Sequence, residues 1–150
     1  MSWQEIKTQA EADELMNLFG DFHDGCLKEA HLTTDCWVDH DLSMSPGIGP
    51  DNSIRMLIQR QWANPAAVEL LFEKLHRFHL YPSADGCTSE ITRATLIVRG
   101  DKIYWSPWSE WSPGHPQRDE CTFIAARKLR WRRVEWLGKE NRYGPKDEED

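Results

Sequence analysis

Ala66-Ala67-Val68-Glu69-Leu70-Leu71-Phe72-Glu73-Lys74-Leu75-His76-Arg77-Phe78-His79-Leu80 is the stretch on which the fold turns. Val68, Leu71, Phe72, Leu75 and Phe78 recur at helical spacing, and Asn64-Pro65 ahead of them would supply an N-cap and a first helical residue. Val68, Leu70 and Phe72 also alternate, as in a strand followed by a turn at Glu73-Lys74. Spacing alone leans towards the helix and leaves the strand open.

The flanks read more simply. Ile54, Met56 and Ile58 alternate with Arg55 and Gln59, the pattern of a half-buried strand, after a loop at Ser45-Pro46-Gly47-Ile48-Gly49-Pro50-Asp51-Asn52. Downstream, a second loop covers residues 81–90. Ile91–Arg99 then reads as a strand with Ala94, Leu96 and Val98 on one face, turned by Gly100-Asp101 into Lys102–Trp105. Cys121–Leu137 is rich in Phe, Ile, Trp and Val, with breaks expected near Arg127 and Arg132. Upstream, residues 26–32 and 33–38 suit extended pieces. At the N-terminus, Ser2-Trp3-Gln4-Glu5 and Thr8-Gln9-Ala10-Glu11 both have capping-box spacing. Either starts a helix that runs to about Phe19, with Ile6, Ala10, Leu15 and Leu18 on its apolar stripe and Gly20 as its stop. The expected class is α+β: an N-terminal helix followed by a mainly antiparallel, or partly rolled, sheet. A single domain is expected over residues 1–146, with residues 147–150 as a disordered acidic tail.

Composition narrows the function. The chain has 150 residues, 39% hydrophobic and 29% charged, enough for one core without disulfide staples. Mean hydropathy is -0.69, no apolar run suffices to cross a bilayer, and no secretory signal pattern opens the chain, so a cytoplasmic protein without membrane association is expected. Cys26, Cys36, Cys87 and Cys121 form no CxxC and read as thiols in a reducing compartment. Charge is uneven: the first fifty residues carry a net -8, residues 51–146 a net +5, and the last four residues -4. The overall -7 argues against a dedicated nucleic-acid binder.

Eight tryptophans are the unusual feature. Trp3, Trp37 and Trp62 read as core or core-edge residues. Trp105, Trp108 and Trp111 repeat every third residue between Ser-Pro steps, so a polyproline II conformation would line the indoles along one edge. Arg130, Arg132 and Arg133 could slot between them through cation–π contacts. This ladder reads either as an exposed surface for a protein partner or as a hairpin extension packed onto the body. Trp105–Trp111 resembles the WSxWSxW core of thrombospondin type 1 repeats, but the six-cysteine framework of that family is missing and homology is rejected. Alternation on the basic run Arg127–Arg133 sets Leu129, Trp131 and Arg133 against Arg130 and Arg132. That run suits an acidic partner or an internally paired face better than nucleic acid.

The polar candidate is Phe22-His23-Asp24-Gly25-Cys26, followed by His31, Asp35, Cys36, Asp39, His40 and Asp41. Imidazole, carboxylate and thiol together could hold a divalent metal, although no HExxH or paired CxxC is present. If residues 26–32 are extended, the Cys26 and His31 side chains point to opposite faces. The alternative is structural, with the Asp24 carboxylate accepting backbone hydrogen bonds where helix gives way to sheet. No nucleophile elbow, P-loop or dinucleotide loop is found, so enzymatic activity is left open with the balance against it.

Leu18-Phe19-Gly20-Asp21-Phe22-His23-Asp24-Gly25-Cys26-Leu27-Lys28-Glu29, with Asp41-Leu42-Ser43-Met44 after it, resembles the opening of the uncharacterised YxiG-like family of small bacterial proteins. The resemblance covers residues 15–80. It is looser with immunity proteins of bacterial toxin systems. It implies a strand at Val68–Phe72 and suggests a small interaction protein that neutralises a toxin. No cofactor is expected, unless the polar candidate holds a divalent metal. A metal-binding protein or metal-dependent hydrolase centred on His23, Asp24 and Cys26 is the alternative.

Overall fold

The computed structural model describes residues 2–49, 51–81, 90–115 and 120–145. Cys87, most of the expected loop at 81–90 and the acidic tail lie outside the described residues. Among the described residues there is one α-helix and ten strands, so strands dominate.

Strand β1 (Gln4–Ile6) precedes helix α1 (Gln9–Leu18). Of the two candidate caps, Thr8 is the one used: its hydroxyl accepts from Glu11 N–H while the Glu11 carboxylate accepts from Thr8 N–H. Ser2–Ile6 is therefore extended, not the first turn of the helix. Next come a 3-10 turn (Gly20–Phe22), β2 (Gly25–Thr33), β3 (Trp37–Val38), β4 (Met44–Ser45), β5 (Ser53–Arg60) and β6 (Ala67–His79). The remaining strands are β7 (Glu90–Ile91), β8 (Thr95–Arg99), β9 (Lys102–Ser106) and β10 (Phe123–Val134).

The decisive stretch is a strand. Core-facing side chains on β6 are Val68, Leu70 and Phe72, then Leu75 and Phe78. The change from two-residue to three-residue spacing comes from irregularities. Lys74 has φ +52°, and His76 is the extra residue where Arg77 pairs with Ala125 but Leu75 with Ala126. A bulged strand thus imitates helical spacing, and the expected turn at Glu73-Lys74 is a bend the strand passes through. Strand β10 pairs along the whole of β6 and also runs unbroken through the expected breaks at Arg127 and Arg132.

The main sheet is antiparallel throughout, in the order β7-β2-β5-β6-β10-β9-β8, with β1 pairing with β10 beside β9. Only Thr92, Arg93 and Ala94 separate β7 from β8, the two ends of that order. Four Cα–Cα steps span at most about 14 Å. A flat array of seven strands would set its outer members roughly 29 Å apart. The sheet therefore curls, and α1 lies against its concave side with Ala12, Leu15 and Phe19 fully buried. Phe22 stacks edge-on against Phe19 at 4.9 Å and Trp105 at 5.8 Å. Each large apolar side chain buried there contributes roughly 1.5–3 kcal/mol. Among the described residues no helix is long and apolar enough to cross a membrane.

Candidate functional site

Three places gather the residues singled out above. The first is the turn from α1 into β2. Gly20, Asp21, Phe22 and Asp24 all have φ between +56° and +62°. Such a backbone is unusual for a phenylalanine, and burial of the Phe22 ring offsets its strain. Gly25 is required by contact: a Cβ there would meet the Phe22 carbonyl oxygen at 2.7 Å. Asp24 N–H donates to the Ile91 carbonyl, and the Asp24 carbonyl accepts from Gln61 N–H. It is thus the backbone of Asp24 that ties helix to sheet. Its carboxylate lies 3.3 Å from His23 Nε2, while His23 Nδ1 lies 2.7 Å from the Thr92 carbonyl oxygen.

His23 and Asp24 line a cleft of about 290 Å³ together with Leu18, Arg60, Trp62 and Asn64. Arg60 Nε donates to the Pro65 carbonyl at 2.8 Å, Nη2 to the Leu18 carbonyl at 3.4 Å, and the guanidinium stacks on Phe19 at 4.4 Å. Burial lowers the pKa of this guanidinium from its ordinary value. Cys26 and His31 do not join the cleft. Cys26 pairs with Gln59 and His31 with Arg55, across a bulge between Leu27 and Glu29. The inserted residue places both on the same face of β2, correcting the expectation of opposite faces. They are separated by four β5 residues, about 13 Å. His31 stacks on Tyr143. Among the described residues, no three His, Cys, Asp or Glu side chains converge as a metal seat.

The second place is the convex face of the sheet. Arg130 and Arg132 do lie opposite Leu129 and Trp131, and they pair internally: Arg130 Nε donates to Glu73 at 2.6 Å and Arg132 Nε to Glu69 at 2.8 Å. Glu69 is fully buried and also accepts from Tyr143 Oη at 2.8 Å, with Arg142 Nη2 at 3.4 Å and Arg55 Nε at 4.0 Å. The indole over these arginines is Trp3, 4.3 Å from the Arg132 guanidinium, and Arg142 sits over Trp136. An aromatic–cationic cluster therefore exists, but around Trp3 and Trp136. The Tyr143 phenol pKa is pushed far above its usual range by burial, by its bond to Glu69 and by that carboxylate's charge. Glu29 accepts from Arg142 and Tyr143 N–H, which fastens this C-terminal segment over the sheet.

Trp105, Trp108 and Trp111 do not share an edge. Trp105 belongs to strand β9 and the main core, Trp111 packs on Phe123 at 4.9 Å, and Trp108 alone of the three keeps half its ring exposed. Glu110, between Trp108 and Trp111, has φ +60°, which is incompatible with the expected polyproline II run. Arg133 stands at the rim of a separate cleft of about 410 Å³ with Pro65, Trp136 and Leu137.

The third place holds Asp35, Cys36, Asp39, His40 and Asp41 of the polar candidate, well along the chain from His23 and Asp24. β3 and β4 pair only with each other, in a two-stranded sheet off the main one. This hairpin and its approaches expose Leu32, Trp37, Val38, Leu42, Met44 and Ile48. Trp37 and Trp62 are both exposed, not core residues as expected. Asp35, Asp39 and Asp41 are interleaved with the apolar positions. Trp37 Nε1 donates to Asp39, and Asp41 accepts from the Ser43 hydroxyl and N–H, which lowers the Asp41 pKa. The run Trp37-Val38-Asp39-His40-Asp41-Leu42-Ser43-Met44 could have revealed it, since a polar turn between two short apolar pairs is a hairpin pattern.

Comparison with family models, with curated proteins and with solved structures gives no match.

Proposed function

We propose that this protein is a small interaction module of the immunity type, which binds a basic protein partner through the β3–β4 hairpin. One observation carries the reading: the hairpin offers Trp37 at 55%, Leu42 at 84% and Met44 at 65% exposure, with Asp35, Asp39 and Asp41 interleaved along the same segment. An isolated two-stranded hairpin is marginal in water, and contiguous apolar surface of this kind marks an interaction site. Tryptophan is the preferred anchor of such contacts, and like-signed charge around it steers an oppositely charged partner. The same chemistry suits a cationic toxin with an apolar depression, in line with the resemblance to immunity proteins. Trp108, half exposed, is a secondary contact in this reading.

The test uses the full chain with a photo-crosslinking residue at Leu42, and at Arg99 as a control, in cells of the source organism. The partner captured at Leu42 is then purified and titrated. Trp37→Ala and Leu42→Ser should each weaken binding at least tenfold, and association should slow as salt rises. Unchanged affinity of both variants, or equal capture at Arg99, would defeat the hairpin as the contact surface. Protection from that partner's toxicity on co-expression supports the immunity reading, and failure to protect removes it.

A further inference from the structure

The cleft between the Gly20–Gly25 turn and the β5–β6 connection holds two opposite charges that do not meet. Arg60 and Asp24 both line it, yet among the described residues Arg60 forms no ion pair. Arg60 is fixed by the Pro65 and Leu18 carbonyls and by stacking on Phe19. A guanidinium has five N–H donors, so the bonds to Pro65 and Leu18 leave hydrogens to spare. Gly20 keeps room beside them: a Cβ there would come within 3.1 Å of Arg60 Nη1.

The opposite wall is anionic. A carbonyl oxygen only accepts, so His23 Nδ1, 2.7 Å from Thr92 O, donates there, and Nε2 lies 3.3 Å from the Asp24 carboxylate. The Asp24 side chain stays 44% exposed, and a carboxylate has about four acceptor sites, so it keeps room for a cationic N–H donor. Trp62, 73% exposed, and Leu18 also line the cleft and supply its apolar surface.

We propose that this cleft binds a small zwitterion, a free α-amino acid with an apolar or aromatic side chain. Its carboxylate takes the spare Arg60 hydrogens, its ammonium donates to the Asp24 carboxylate, and its side chain lies on Trp62. The cleft volume of about 290 Å³ suits a ligand of that size. The site shares no residue with the β3–β4 hairpin and stands independently of the proposed partner.

Calorimetric titration of the full chain decides the matter, with L-phenylalanine as the probe and 3-phenylpropionate and 2-phenylethylamine as half-ligands. L-phenylalanine should bind at least tenfold more tightly than either half-ligand. Trp62→Ala and Asp24→Asn should each weaken it about tenfold with unchanged circular dichroism. Asn tolerates the positive φ at position 24, and Trp62 is a surface residue, so both variants should fold. Arg60→Gln should abolish binding. No binding of L-phenylalanine, a half-ligand equal to it, or full affinity in both Trp62→Ala and Asp24→Asn would overturn the proposal.

Discussion

Glu69→Gln keeps the shape of a fully buried side chain and removes its charge, which leaves the convex face with Arg55, Arg132 and Arg142 around a neutral amide. Three close contacts are altered directly, those from Arg132 Nε, Arg132 Nη2 and Tyr143 Oη, each 2.8 Å long. Deleting one partner of a buried ion pair costs about 3–5 kcal/mol, because the remaining charge stays desolvated. Here the arginine side chains retain 24% to 40% exposure, so water recovers part of that cost. The lower end, about 3 kcal/mol, is the expected loss. For a chain of this length that corresponds to a fall in Tm of roughly 6–12 °C. Urea denaturation followed by tryptophan fluorescence measures the first figure, and calorimetry the second. Trypsin cleavage after Lys139 should also quicken, since Arg142 and Tyr143 lose their side-chain anchor and keep only their backbone bonds to Glu29. A destabilisation below about 1 kcal/mol would refute the reasoning, because it would show that the carboxylate is no better satisfied here than in water.

Three further outcomes follow from the same coordinates. Tyr143 has a folded-state pKa raised above its unfolded value of 10.0, so the unfolded chain loses that proton first. Stability should therefore hold below pH 10 and fall above it by about 1.4 kcal/mol per pH unit, and Tyr143→Phe should remove that component of the alkaline slope in pH-dependent urea titrations. Trp105→Ala, in the main core, should cost about 3–5 kcal/mol, whereas Trp108→Ala, half exposed, should cost less than about 1 kcal/mol by the same denaturation assay. Cys26 and Cys36 are exposed while burial and Glu120 push the Cys121 thiol pKa up, so mass spectrometry after brief maleimide treatment should find the first two modified well before the third.

Much of the fold was legible where local chemistry dominates. The Thr8–Glu11 cap, the Gly100-Asp101 hairpin turn and the alternating Ile54–Ile58 strand each depend on neighbours within a few residues. The FHDG turn was legible as a singular feature, but its role was not. Asp24 ties the chain through its backbone, and the cleft beside it needs Arg60 and Trp62 from nearly forty residues away. Arg130 and Arg132 of β10 were correctly set on one face by alternation, yet their aromatic partners were not the nearby period-three indoles. They are Trp3 and Trp136, brought in by the β1–β10 pairing and the C-terminal segment.

By itself the sequence determined the local turns, the helix start, which side of β10 is apolar, and the acidic bias of the first third. Tertiary structure alone decided that Ala67–His79 is a strand, because a bulge and a positive φ at Lys74 convert alternation into apparent helical spacing. It likewise decided which tryptophans are buried, since the curl of the sheet, not the period of the indoles, sets what lies inside. Sequence periodicity reports a uniform backbone; wherever the backbone bends to close a curved sheet, only long-range pairing says which face a side chain takes.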